Sequence, residues 1–123
     1  MRAKPVIVIF DVGKTNKKLF VFDQDYKIVY ERSARFFETE DEDGFPCENI
    51  ESLRLSVFDG LRDVFKRKQF DVKAINFTTY GASFVYIDEE GNPVAPLYNY
   101  LKPYPEELKK KFYDTYGGEQ KFS

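Results

Sequence analysis

The chain has 123 residues, 42% apolar and 18% aromatic, enough for one hydrophobic core and one domain at most. Its formal charge is −2 with Lys and Arg scattered, which excludes the massed cations of a nucleic-acid footprint. Cys47 is the sole cysteine and histidine is absent, so a disulfide framework is excluded and any chemistry rests on carboxylates, hydroxyls and cations. A reducing cytoplasm is the expected location. The longest early apolar run, residues 6–10, is too short for a signal-peptide core or a bilayer span.

Three strands are predicted first, at about 5–11, 16–23 and 26–36. The run Val6-Ile7-Val8-Ile9-Phe10 is branched and aromatic, and Leu19-Phe20-Val21-Phe22 reads as its hairpin partner. Between them lies Asp11-Val12-Gly13-Lys14-Thr15-Asn16-Lys17-Lys18, a turn that gathers backbone N–H groups, a hydroxyl and ammonium groups beside one carboxylate. Such a turn can cradle a phosphate while Asp11 faces a magnesium ion through water. Gly13 would let the backbone approach the anion without a Cβ in the way. An ordinary polar hairpin with a structural aspartate is the competing reading, and the turn alone does not decide between them. Gly13-Lys14-Thr15 is not the end of a P-loop. That motif needs a glycine where this chain has Val8, and it must open a helix rather than a strand.

Asp23-Gln24-Asp25-Tyr26 supplies the next turn. The acidic stretch 38–46 reads as a solvated loop and nothing more. Asn49 can cap a helix over about 49–69 that puts Ile50, Leu53, Val57, Leu61 and Val64 on one face. A fourth strand is expected at about 72–78 and a fifth at 83–88, closed by the turn Asp88-Glu89-Glu90-Gly91-Asn92. A last helix runs from Pro105 to about Tyr116, with Glu106 and Glu107 in its first turn and Gly117-Gly118 as its stop.

Three antiparallel strands, a crossover helix and a strand returning beside the first make a ribonuclease-H-like α/β layout with a mixed sheet of about five strands. The crossover is expected to be right-handed. It puts Asp11 next to Thr78-Thr79-Tyr80, off the carboxyl ends of strands, where open α/β sheets place their sites.

The stretch Thr78-Thr79-Tyr80-Gly81-Ala82-Ser83-Phe84, followed by Asp88 to Gly91, joins the Asp11 turn in a resemblance that covers the whole chain. Together they resemble the N-terminal domain of the FGGY family of carbohydrate kinases, in the sugar-kinase/actin/Hsp70 superfamily. The family's first phosphate motif is matched by Asp11, Gly13, Thr15 and Lys18. The second stretch looks closest to the rhamnulokinase branch, although Thr78 and Ser83 replace two acidic residues and Tyr80 replaces a tryptophan.

The resemblance implies an actin-like domain whose Gly13, Lys14, Thr15, Asn16 and Lys18 bind the phosphates of ATP. It implies Mg²⁺ held through water by Asp11, and a sugar held by Thr79, Tyr80, Gly81, Ser83 and Asn99. It further implies that the general base and the adenine site belong to a second domain downstream, so 1–123 alone is expected to be inactive. Sugar and ATP are the expected partners, with no nucleic acid and no membrane, and self-association through the truncated face. Two rivals stay open. A non-catalytic actin-like interaction domain would keep Asp11 as a loop cap. A nuclease of the same topology would pair Asp11 with Glu48 or Glu51, but its fourth strand ends in threonines.

Overall fold

The computed structural model describes residues 2–98 and 104–118. Its centre is a four-stranded sheet in the order β3-β2-β1-β6, from β1 (Lys4–Val12), β2 (Lys17–Phe22), β3 (Ile28–Ala34) and β6 (Phe70–Thr79). β1 pairs antiparallel with β2, and β2 with β3, while β6 lies parallel to β1. Parallel pairing requires a crossover, and α1 (Ile50–Lys66) supplies it.

Alternation along β1 decides which face is covered. Val6, Val8, Phe10 and Val12 are buried, as are Leu19 and Val21 opposite them on β2. Leu53, Val57 and Leu61 of α1 pack on this layer, and Val64 is fully buried within it. The helical stripe is therefore core. Asn49 caps α1 by accepting the Ser52 N–H at 3.0 Å. Gly60 faces the sheet. A Cβ there would lie 2.8 Å from Leu19 Cδ1 and 3.5 Å from Phe10 Cε1.

The opposite sheet face carries Ile7, Ile9, Phe20 and Phe22, and β6 is exposed along most of its length. Phe77 stacks on Phe10 at 5.0 Å yet remains half-exposed.

Two expectations are corrected. No fifth sheet strand forms at 83–88. Asp88 Oδ1 instead accepts the Glu90 and Asn92 N–H groups, Gly91 takes φ +83°, and only the single bridge Ile87↔Pro93 results. A turn this strong closes the segment on itself, so it does not extend along β6. The acidic stretch is also more than a solvated loop. It holds a small hairpin, β4 (Thr39–Glu40) and β5 (Pro46–Cys47), closed by Asp41 Oδ1 accepting from the Asp43 and Phe45 N–H groups. Cys47 is buried there.

α2 (Glu106–Tyr116) starts after Pro105 and ends where Gly117 and Gly118, both at positive φ, donate their N–H groups to Tyr113 O. None of its residues is buried.

Candidate functional site

The sheet brings the two motifs together. In register, Asp11 stands between Lys18 on β2 and Thr78 on β6, and Val12 stands between Lys17 and Thr79. The Tyr80 N–H then donates to Val12 O at 3.1 Å, tying the end of β6 to the end of β1.

The β1–β2 turn is tight. The Gly13 N–H donates to Asn16 O at 3.0 Å, and a Cβ on Gly13 would lie 2.8 Å from that same oxygen. The turn itself thus requires glycine, before any ligand arrives. Lys14 is half-buried, while Thr15 and Asn16 stand exposed at the tip. Asp11 and Lys18 share the sheet face that α1 does not cover. Thr79 and Gly81 are exposed, and Ser83 is half-buried with its hydroxyl turned inward. Asn99 lies outside the described residues.

Lys17 does not stand with the exposed residues of the turn tip. It is buried, with its side chain 8% exposed against 10% for Glu48, and the Lys17 Nζ–Glu48 Oε2 separation is 3.3 Å. Lys17 Nζ also donates to Lys14 O at 2.8 Å, reaching the back of the turn, and lies 5.9 Å from the Phe36 ring centre. The other Glu48 oxygen accepts the Tyr80 hydroxyl at 3.0 Å. Glu48 is held from its main chain as well, its N–H donating to Leu97 O at 2.7 Å. Burial and the neighbouring Glu48 carboxylate push the Tyr80 phenol up to about 12.

The sequence points to Glu48 only as a nuclease ligand and to Lys17 only as one of the turn's ammonium groups. The available signal was that β2 alternates, which puts Lys17 on the same face as Leu19 and Val21. A lysine on a buried face needs a carboxylate. Finding which one required the tertiary structure.

An open cleft of about 620 Å³ lies against the turn. Its walls are Lys14 and Thr15, then Arg35, Phe36 and Glu38 after β3, with Glu48 beyond. It offers cations, a hydroxyl and an aromatic face to a polar ligand. Among the described residues no group of three His, Cys, Asp or Glu could hold a metal ion, and no helix is long and apolar enough to cross a membrane.

No protein-family model matches the sequence, and no curated protein matches it. Solved structures do. The chain has the α/β fold, with its mixed sheet, found in a set of sugar-type kinases. Glycerol kinase from Plasmodium falciparum, solved with ADP, superimposes with a TM-score of 0.77 at 20% identity, over 94% of this chain and 24% of that one. A carbohydrate kinase from Novosphingobium aromaticivorans gives 0.75 at 18% identity, over 91% and 23%. Ligand-bound xylulose kinase from Lactobacillus acidophilus gives 0.66 at 18%, over 76% and 19%. The chain spans about a quarter or less of each kinase. Similarity at this identity establishes the fold alone.

Proposed function

We propose that this chain is the N-terminal, ribonuclease-H-like (actin-like) part of an ATP-dependent carbohydrate kinase of the FGGY type. The observation that carries the reading is the register that sets Asp11 and the Gly13–Asn16 turn against Thr78-Thr79-Tyr80. Kinases with the same fold cover nearly all of it.

In this reading the turn tip, Lys14 to Asn16, meets the terminal phosphates of ATP with backbone N–H groups, a hydroxyl and an ammonium. Gly13 serves the turn's own closure, and Lys18 adds a cation beside Asp11. A lone carboxylate at the end of a central strand suits a hydrated Mg²⁺, which keeps most of its waters. When bound, the metal would neutralise charge on the transferring phosphoryl group. The acceptor sugar would lie along Thr79, Tyr80, Gly81 and Ser83. The Tyr80 hydroxyl is committed to Glu48, so its ring is what remains for the sugar.

Phosphoryl transfer also needs a base for the acceptor hydroxyl and a nucleotide-base pocket, assigned here to a second domain downstream. Residues 1–123 alone therefore turn over no sugar. The uncovered sheet face and the exposed strand β6 favour association of the isolated chain with itself. Identifying the branch as rhamnulokinase-like rests on sequence resemblance alone. The nuclease reading weakens, because Glu48 is engaged by Lys17 and Tyr80 and Glu51 by Arg54.

The test is Mg·ADP binding, followed by amide chemical shifts. Shifts centred on Lys14 to Asn16 that vanish when Mg²⁺ is omitted support the kinase reading. Turnover of any pentulose, hexulose or polyol by 1–123 refutes the assignment of the catalytic base to another domain. Wild-type shifts confined elsewhere would leave the non-catalytic interaction domain as the better account.

A further inference from the structure

We propose that Glu48 is a positioning residue that fixes the spacing between the β1–β2 turn and the end of β6, so that occupancy of one is felt at the other. The inference rests on the kinase reading for its ligands and on geometry alone for the strut.

Glu48 belongs to neither motif. It sits between β5 and α1, yet both its carboxylate oxygens are engaged. One faces Lys17 Nζ at 3.3 Å and the other accepts from Tyr80 Oη at 3.0 Å. Each contact leads directly to a site segment. Lys17 Nζ continues to Lys14 O at 2.8 Å, inside the turn that would hold phosphate. The Tyr80 main chain donates to Val12 O at 3.1 Å, just ahead of that turn. The strut therefore runs from Lys14 O through Lys17, Glu48 and Tyr80 to Val12 O.

Burial makes this arrangement stiff. With Lys17 and Glu48 at 8% and 10% exposure, neither charge can turn to water without leaving its partner desolvated and unpaired. A surface pair could be broken at little cost, but this one cannot. The Glu48 backbone is pinned too, through its N–H to Leu97 O at 2.7 Å. A carboxylate held from both ends of its side chain and from its main chain transmits displacement between its partners rather than absorbing it. Coupling through such an element is reciprocal.

Hydrogen exchange on the chain itself tests the strut. In Glu48→Gln, the amides of Gly13 and Tyr80 are expected to exchange at least tenfold faster, while those of Val8 and Val21 in the buried centre keep their rates. If Gly13 and Tyr80 accelerate only in step with Val8 and Val21, Glu48 is a general stability residue and the proposal fails. Should Glu48→Gln not fold, Tyr80→Phe deletes one hydroxyl and leaves the ion pair intact. Faster exchange at Gly13 in that variant shows coupling across the carboxylate, and an unchanged Gly13 overturns it.

A third variant, Lys17→Met with Glu48→Gln, removes both charges together. It should keep the fast exchange at Gly13. A return of Gly13 to its wild-type rate would show that burial of an unpaired charge was the whole effect, which refutes positioning. Calorimetry with Mg·ADP as the probe gives the functional arm, with a dissociation constant raised about tenfold in Glu48→Gln. If the wild type fails to bind Mg·ADP, the assignment of the nucleotide-base pocket to a second domain accounts for it, and the exchange data alone decide the strut.

Discussion

Gly60 of α1 touches Leu19 of β2 so closely that a Cβ on Gly60 would stand 2.8 Å from Leu19 Cδ1, with the Phe10 ring 3.5 Å away. Helix and sheet meet here at a distance where any Cβ obliges the Leu19 side chain to shift. The contact lies over the strands that carry the candidate site, so the spacing of α1 bears on the site's foundation.

Two effects oppose each other in Gly60→Ala. Alanine gains about 1 kcal/mol of helix propensity over glycine. Overpacking a filled core costs about 1–3 kcal/mol, and Leu19, 3% exposed, has little room to rotate. Gly60→Ala should therefore be near neutral to mildly destabilising. Gly60→Val forfeits part of the propensity gain and adds two methyl groups, so it should lose about 2 kcal/mol or more. Urea unfolding of both variants checks this, and a Gly60→Val chain as stable as wild type would contradict the close packing.

Alkaline pH should loosen the site from the β6 side. Burial, reinforced by Glu48, raises the Tyr80 phenol from its ordinary value near 10 to about 12. The folded chain thus keeps a proton that the unfolded chain has already released. That stability is complete below pH 10 and is lost as pH rises through 12. Tyr80→Phe should flatten this part of the stability–pH curve. Tyr98 is raised to about 12 as well, by its hydrogen bond to Asp41, so the difference between wild type and variant isolates Tyr80.

At the other end of the scale, the Tyr30 hydroxyl donates to Asp63 and links β3 to α1. That hydrogen bond first, then Arg67 and Arg32, holds the Asp63 carboxyl below the ordinary carboxylate range. Its contribution is present above the ordinary carboxylate value and is lost as pH falls through the lowered folded value. Tyr30→Phe should move the Asp63 titration upward and bring acid unfolding to a higher pH. A carboxyl titration by NMR that stays in place would show that the arginines alone set it.

Much of this architecture is legible in the sequence because its signals are local. The alternation of residues 6–12, the Asn49 cap and the Gly117-Gly118 stop each act within a few residues, and each element forms where its pattern lies. In both failures an Asx turn decided the local structure against the pattern around it. Asp88 closes a loop on Glu90 and Asn92 before 83–88 can pair with β6. Asp41 likewise organises a hairpin from residues that composition marks as solvated. Within the site, the pairing of Asp11 with Thr78 follows from strand order. The Lys17–Glu48 pair spans 31 residues, and no pattern in the chain announces it.

Asp11 separates the kinase reading from a merely structural turn. Its Cα partners are Lys18 and Thr78, so its place in the sheet is set by backbone pairing rather than by its carboxylate. Asp11→Asn keeps size and shape, and the fold should tolerate it with little loss of stability. The charge that would face hydrated Mg²⁺ disappears. Mg·ADP should then bind the chain more weakly and with less dependence on Mg²⁺ concentration. In the kinase of which this chain is the proposed N-terminal part, kcat should fall about a hundredfold or more, the scale of losing one preorganised electrostatic group. The KM for sugar should change little, because a charge that acts mainly in the transition state lowers kcat rather than ground-state binding. Steady-state kinetics with saturating ATP and varied sugar reads both constants. A kcat within a few-fold of wild type would make Asp11 a turn residue and remove the main support for phosphoryl transfer at this turn.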